Sequence, residues 1–173
     1  PLRGYKSDAW EGGHRVPFIV RWPGVVKQAS ACDQLVHQAD LMATFAEILG
    51  TKLADDQGED SFSLMPLLKG DDEPIRKHAV SAASNGLPAV RLGQWKYIPA
   101  PGSGGWGKGG DRSLPIQLYN LANDVGESKN LAAQEPERVA RIQALLETLI
   151  VKGRSTPGPN QQNDVKVRRY LPK

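Results

Sequence analysis

The glycine-rich run from Gly102 to Gly110 has residue types and spacing that suggest a specific chemistry. Gly102 to Gly107 matches G-x-G-x-x-G, and Gly102 to Lys108 matches G-x-x-x-x-G-K, two patterns whose backbone amides hold phosphate groups. A phosphate loop continues with Ser or Thr, which binds magnesium, and then with a helix. Here Gly109, Gly110 and Asp111 follow the lysine. The sequence therefore favours a flexible hairpin loop between two strands.

Neither the histidines, the cysteine nor the acidic cluster forms a pattern for metal binding or nucleophilic attack. His14, His37 and His78 are far apart, and none has a local partner at metal-ligand spacing. Cys32 is the single cysteine and has no catalytic motif around it. The acids from Asp55 to Asp60 lack the alternation and final glutamate of a calcium loop, which favours a solvated linker. Spacing alone thus predicts no metal site.

Charge and composition exclude two classes of protein. The 173 residues carry a net charge of +3, but the stretch from Lys152 to Lys173 holds six basic residues and one acidic residue. That basic tail has no series of aromatic residues for stacking on bases, so we do not expect a nucleic-acid partner. Membrane spans need about 20 consecutive apolar residues, and the longest apolar runs here are much shorter. No membrane span is predicted.

The first half of the chain predicts one strand-then-helix unit. Phe18 to Trp22 is β-branched and aromatic and lies between prolines, as expected of a buried strand. Leu35 to Ala39 is a second strand candidate. Asp40 is placed to cap a helix that carries apolar residues at helical spacing and ends at Gly50.

The second half predicts a short helix, four strands and a long helix. The short helix covers Ser63 to Leu68 and ends at Gly70, and Asn85-Gly86 is a hairpin signal. The strands are His78 to Ala83, Leu87 to Leu92, Trp95 to Ile98 and Gln117 to Leu121. A final helix opens at Glu135-Pro136, ends at Gly153 and has a continuous apolar stripe. We expect this stripe to pack on one face of the strands.

A motif near the start of the sequence is far more specific than the glycine patterns. Leu2-Arg3-Gly4-Tyr5-Lys6 is followed by Glu11-Gly12-Gly13-His14-Arg15-Val16-Pro17 and then by Trp22-Pro23-Gly24. This series resembles the sulfatase family's L-R-G-x-K, E-G-G-x-R-V-P and W-P-G. Arg91 to Tyr97 resembles its R-x-G-x-W-K-Y strand. Gln117 to Leu131, with Asp124 and Glu127, resembles its E-L-Y-D-L-x-x-D-P-x-E-x-x-N-L, except that Val125 replaces proline in a turn.

The resemblance implies an α/β fold similar to alkaline phosphatase, of which this chain looks like the C-terminal third. Residues 1–50 would contribute the end of a large mixed sheet with a flanking helix, and residues 51–78 a connecting segment. Residues 79–155 would form a small α+β domain, an antiparallel sheet packed against a C-terminal helix. Residues 156–173 would be an extended basic tail.

The family's reactive groups are expected upstream of this chain. Sulfatases carry a formylglycine made from Cys or Ser within C/S-x-P-x-R, and this pentapeptide is absent from the sequence. The Ca²⁺ ligands of the family also lie upstream, so no metal ligand is assigned here. The chain is therefore expected to be inactive alone and to act as part of a longer sulfuric ester hydrolase.

The resemblance assigns roles to seven residues. Lys6 would contact the substrate sulfate, because a compact ammonium can follow its oxygens. Glu11 and Arg15 would support the Lys6 loop, with Gly12 and Gly13 supplying turn conformations. His14 and Trp106 are candidate substrate contacts, the tryptophan by stacking on a sugar ring.

Several alternatives remain open on the sequence. The substrate could be an aryl sulfate, a sulfated glycosaminoglycan or an algal polysaccharide. Other functions are a non-catalytic module that binds sulfated glycans, and a phosphonate or phosphodiester hydrolase of the same superfamily. The expected partners are a sulfated small molecule or glycan and the upstream part of the same sulfatase. Family members are mostly exported, so a periplasmic or extracellular protein is expected.

Overall fold

The computed structural model describes residues 1–109 and 113–170. Gly110, from the predicted glycine-rich loop, and residues 171–173, from the predicted tail, lie outside the described residues. The helices are α1 (Glu11–His14), α2 (Asp40–Ile48), α3 (Met65–Lys69) and α4 (Pro136–Lys152). The strands are β1 (His78–Ala82), β2 (Pro88–Leu92), β3 (Trp95–Ile98) and β4 (Gln117–Asn120). Nowhere in these ranges is a helix long and apolar enough to cross a membrane.

The chain folds as two compact units that do not follow the order of the sequence. One unit combines residues 1–17 with residues 80–147 and the end of the chain, and the other combines residues 18–79 with 148–165. The first 17 residues therefore pack with the small sheet.

A four-stranded sheet in the order β1-β2-β3-β4 organises the first unit, as the sequence predicts. Its β2–β3 and β3–β4 pairs are antiparallel. A tight turn joins β1 to β2, in which the Ala83 amide donates to the Leu87 carbonyl and Gly86 has φ 82°. The predicted fold class, an antiparallel sheet with a C-terminal helix, is confirmed.

Alternation along the strands gives this sheet two different faces. Val90, Tyr97 and Leu118 pair across the strands and form a buried cluster with Val139 and Ile142 of α4. The opposite face carries residues that pack on or bind the N-terminal segment; these are Ala89, Arg91, Lys96, Ile98, Gln117 and Tyr119. One face thus builds the core under α4, and the other face is available to hold the first residues of the chain.

The second unit is centred on the buried carboxylate of Asp40. This residue does not cap α2 as predicted, because it is the first helical residue and Ala39 occupies the cap position. Its carboxylate accepts the amides of His37 and Phe62 at 2.7 and 3.0 Å and pairs with Arg76 at 2.5 Å. Asp40 therefore joins three segments of this unit.

Arg154 anchors the chain that follows α4 within the second unit. The Arg154 guanidinium donates to the carbonyls of Asp55 and Pro159 and to the Thr156 hydroxyl. Ser155 donates its amide to the Asp60 carboxylate at 2.8 Å. The predicted acidic linker thus accepts hydrogen bonds from residues 154–156.

The predicted strands at 18–22 and 35–39 are wrong as strands. Residues 15–39 contain no helix or strand, and the side chains of Phe18 and Ile19 are 50% and 89% exposed. A strand needs neighbouring strands to pair its backbone groups. Within the described ranges, no strand pairs with residues 18–22. The apolar pattern alone cannot supply that pairing.

Hydrogen exchange should therefore differ between these segments. In the 173-residue chain, we expect the amides of residues 80–147 to exchange more slowly than those of residues 18–22, because only the former combine sheet hydrogen bonds with a buried core. Exchange measured by mass spectrometry on peptides from both regions tests this. Equal protection would contradict it.

Candidate functional site

Lys6 lies at the tip of a tight turn whose backbone is held from both sides. The Asp8 amide donates to the Tyr5 carbonyl at 3.1 Å, and Ser7 has φ 90°, in the left-handed region. The carboxylate of Asp8 is buried and accepts the Tyr5 amide at 3.0 Å. The Lys6 side chain is exposed. An exposed ammonium thus projects from a backbone held by hydrogen bonds.

The glycine-rich loop between β3 and β4 packs directly against this turn. Gly107 donates its amide to Asp8 at 2.8 Å, and Trp106 donates its amide to the Ser7 hydroxyl at 3.0 Å. The Tyr5 hydroxyl donates to the Trp106 carbonyl at 3.0 Å. The loop lies between two strands as predicted, but these contacts hold its backbone near Trp106.

Glycine is required in this loop by close approach. A Cβ on Gly105 would lie 2.3 Å from the Ser7 carbonyl oxygen, and one on Gly107 would lie 2.3 Å from the Asp8 carboxylate. Such separations are far inside van der Waals contact. These two glycines therefore allow the loop to pack closely against the Lys6 turn.

The two glycines after Glu11 have a similar role. Gly12 and Gly13 are helical in α1, with no left-handed φ, so the expected turn conformations are wrong. A Cβ on Gly12 would lie 2.3 Å from the Gly4 carbonyl oxygen, and one on Gly13 would lie 2.0 Å from the Asp8 carbonyl oxygen. Their missing side chains let α1 pack against the backbone on either side of Lys6.

A buried charged cluster lies behind the Lys6 turn. The Lys96 ammonium is 3.1 Å from Glu11 Oε1 and 2.8 Å from Glu127 Oε1, and all three side chains are 2% exposed or less. Glu127 Oε2 accepts the Glu11 amide at 2.6 Å. The cluster joins α1, β3 and the segment after β4. Lys96 and Glu127 lie 85 and 116 residues from Glu11 in the sequence.

His14, Arg15 and Arg91 surround this cluster. His14 Nε2 is 3.1 Å from the Lys96 ammonium and 3.7 Å from Glu11 Oε1. Arg15 and Arg91 lie 3.6 and 3.8 Å from Glu11 Oε2. The expected pair of Glu11 with Arg15 is present, but the Arg15 side chain is 54% exposed and the buried partner of Glu11 is Lys96.

Burial and charge act differently on the two glutamates. Burial alone would raise the pKa of Glu11, but the Lys96 ammonium, with His14 and Arg91, lowers it below its usual value. Burial raises the pKa of Glu127 above its usual value, and Lys96 offsets only part of that effect. The positive charge of Lys96 thus favours the ionised form of both glutamates.

The chain is similar in sequence to known proteins. The family model described as Sulfatase matches residues 1–51, which include Lys6 and α1. An N-acetylgalactosamine-6-O-sulfatase of Bacteroides thetaiotaomicron is 40% identical over 153 residues, 85% of this chain and 29% of its own length. The chain is thus similar to sulfatases over most of its length.

Two solved structures support the same fold. One, from work on the metabolism of multiple glycosaminoglycans by Bacteroides thetaiotaomicron, has a TM-score of 0.73 and 35% identity, and covers 85% of this chain and 31% of its own. Another, Ps i-CgsB in complex with k-i-k-neocarrahexaose, has a TM-score of 0.68 and 25% identity, with 86% and 31% covered. The chain thus spans just under a third of the sulfatase relatives it matches.

The structure brings together residues from three sulfatase-like motifs. Glu11, Lys96 and Glu127, each from a different motif, meet in the buried cluster. Sequence reasoning assigned a role only to Glu11. The signal for the other two was their place in the later motifs, but their proximity depends on the sheet's register.

Within residues 1–109 and 113–170, no group of three or more His, Cys, Asp or Glu side chains is arranged to hold a metal ion. The buried carboxylates of Asp8 and Glu11 are also engaged, Asp8 by backbone amides and Glu11 by Lys96. These described side chains therefore offer no set of ligands that fits a calcium ion.

Proposed function

We propose that the protein containing this chain hydrolyses sulfate esters and that Lys6 contacts the sulfate of the substrate. The observation that carries the proposal is the exposed Lys6 side chain on a turn fixed by the buried Asp8 carboxylate. Sulfate ester cleavage places negative charge on peripheral oxygens, and a prepositioned cation stabilises that charge without reorganising. The similarity of the chain to sulfatases and the names of its relatives support this activity.

Release of inorganic sulfate tests the activity. The complete protein, of which this chain is proposed to be the C-terminal portion, would be assayed on 4-nitrophenyl sulfate and on N-acetylgalactosamine 6-sulfate. Sulfate release from either ester supports the proposal, and release from neither contradicts it. In that protein, formylglycine would supply the nucleophile and Ca²⁺ the metal, both on residues outside this chain.

The proposed substrate is a sulfated carbohydrate. Trp106 is 62% exposed, its backbone is bonded to Ser7 and Tyr5 on either side of Lys6, and the Tyr5 side chain is also 53% exposed. Exposed aromatic faces near a cation suit a sulfated sugar ring, whose C–H bonds pack on an aromatic surface. One relative is named as an N-acetylgalactosamine-6-O-sulfatase and one neighbour holds a hexaose, which favours this class.

His14 is proposed as a minor contact. Its ring nitrogen lies 3.1 Å from the Lys96 ammonium, on the inner cluster, and its side chain is 26% exposed. The part of the ring that reaches solvent is the part available to a substrate. Glu11 and Arg15 are proposed to support the turn and not to contact the ester.

Trp106→Ala is expected to separate glycan from aryl substrates. In the complete protein, KM for a sulfated oligosaccharide should rise about 10-fold, which corresponds to roughly 1.4 kcal/mol of lost binding, within the range for aromatic contacts. KM and kcat for 4-nitrophenyl sulfate should change less than about twofold, because this ester has no sugar ring to pack on Trp106. Steady-state kinetics on both substrates measures this.

Trp106→Phe is the matched control, since it keeps an aromatic face. It should restore most of the affinity for the oligosaccharide. An equal loss with both substrates would show that Trp106 acts through the Lys6 turn and not as a sugar contact.

The remainder of the same polypeptide is the proposed partner of the second unit. Four apolar side chains of or next to α2 are exposed by 44% to 76%; they are Met42, Phe45, Ile48 and Leu49. An amphipathic helix normally buries such a face. The chain spans less than a third of its relatives, so the rest of the protein is available to cover this apolar face.

Export to the periplasm or the extracellular space is proposed from the family resemblance.

A further inference from the structure

Glu127 is the residue whose conformation calls for an explanation. It is fully buried and has φ 51°, in the left-handed region that side chains other than glycine, asparagine and aspartate rarely adopt. Such a conformation persists only where the surroundings enforce it, and it is found preferentially at functional sites. Its neighbour Gly126, which could adopt this φ without strain, does not.

The contacts of Glu127 reach both stems of the segment that carries Lys6. Its backbone carbonyl accepts a hydrogen bond from Arg3 Nη1 at 2.7 Å. Its carboxylate accepts the backbone amide of Glu11 at 2.6 Å. Arg3 lies three residues before Lys6 and Glu11 lies five residues after it, so one residue holds the two ends of this loop.

Further contacts make each stem rigid. The Arg3 guanidinium stacks 3.9 Å from the centroid of the buried Trp10 ring and also donates to the Tyr119 hydroxyl at 3.1 Å. The Arg3 carbonyl accepts the Gly12 amide at 2.7 Å. The unusual φ of Glu127 lets its carbonyl and its carboxylate serve the two stems at once.

We propose that Glu127 is a positioning residue that sets the location of Lys6, acting through Arg3 and Glu11 with Lys96 as its counter-charge. This inference rests on the proposed role of Lys6 as the sulfate-contacting cation. The competing explanation is a purely structural one, in which the buried charges only stabilise the unit. Buried ion pairs are weak evidence for stability by themselves, whereas fixing one conformation is an attested use of buried polar groups.

A double-mutant cycle in the complete protein separates the two explanations. Glu127→Gln keeps the size of the side chain and an oxygen for the Glu11 amide, but loses the ion pair with Lys96. We expect it to lower kcat for 4-nitrophenyl sulfate by about 10- to 100-fold, the range for small misplacement of a catalytic group. In a Lys6→Ala background it should lower kcat less than about threefold, because no ammonium remains to be misplaced.

Glu135→Gln provides the matched control. Glu135 also forms an ion pair, with Arg138, but its side chain is 38% exposed and lies outside the cluster. This variant should change kcat by less than about twofold in both backgrounds. Hydrogen exchange adds a second readout, since Glu127→Gln should speed exchange in residues 3–11 and leave residues 136–147 unchanged.

Each outcome decides between the explanations. An equal loss from Glu127→Gln in both backgrounds, with Lys6→Ala itself harmful, overturns the positioning role and leaves the proposed function intact. A harmless Lys6→Ala overturns both the positioning role of Glu127 and the proposed contact of Lys6 with the sulfate. If Glu127→Gln does not fold, as judged by its melting temperature, Arg3→Met removes the bond to the Glu127 carbonyl from a partly exposed position, and the same cycle applies.

Discussion

Lys6→Ala is expected to lower kcat of the complete protein on an aryl sulfate by about 10²- to 10³-fold. This corresponds to roughly 3 to 4 kcal/mol, the loss seen when one prepositioned group is removed from a charged transition state. The effect should be large because the turn around Lys6 is held by Asp8, Ser7 and the glycine-rich loop before substrate binds. Steady-state kinetics on 4-nitrophenyl sulfate measures it.

His14→Ala is the comparison for this prediction. His14 lies in the same motif but points a ring nitrogen at Lys96, and we expect its removal to cost less than about 10-fold in kcat. Melting temperatures should show that both variants fold. Equal losses for the two variants, or a harmless Lys6→Ala, would refute the assignment of Lys6.

Gly13→Ala is expected to have the largest effect on stability. The added Cβ would lie 2.0 Å from the Asp8 carbonyl oxygen and 2.7 Å from its carbon, which are backbone atoms that no side-chain rotation can move. Either α1 or the Lys6 turn must shift. We expect a loss of about 3 kcal/mol in the free energy of unfolding, at the upper end of overpacking effects. The urea midpoint, at unchanged slope, measures it.

Gly126→Ala is the matched substitution at a glycine with room. Its Cβ would lie 3.6 Å from the Pro1 carbonyl oxygen, the nearest described atom outside the adjacent residues, and its φ is not left-handed. The free energy of unfolding should change by less than about 0.5 kcal/mol, as for ordinary surface substitutions. A Gly13→Ala protein as stable as Gly126→Ala would contradict the close packing of α1 on the turn.

Much of the small domain follows from local signals. The strands at 95–98 and 117–120 and the helix from Pro136 match their predicted positions to within a residue. Gly70 and Gly153, at φ 104° and 64°, end their helices as predicted. Such features depend on alternation, helical spacing and glycine punctuation, which neighbouring residues determine among themselves.

The predicted strand at 18–22 shows the limit of local signals. Its apolar, β-branched residues are typical of a buried strand, yet Ile19 is 89% exposed. A strand is stable only when other strands take its backbone hydrogen bonds. Residues far away in the sequence decide that, so the pattern by itself could not.

The sequence by itself determined the sulfatase motifs, the placing of Lys6 and Glu11 within them, and the apolar stripe of α4. Only the tertiary structure decided that Glu11 pairs with Lys96, that Glu127 binds both stems of the Lys6 loop, and that glycines 105 and 107 pack on the turn. The register of β3 is the physical reason for the first of these. A two-residue period turns Trp95 and Tyr97 toward α4 and leaves Lys96 on the opposite face, where the N-terminal segment packs.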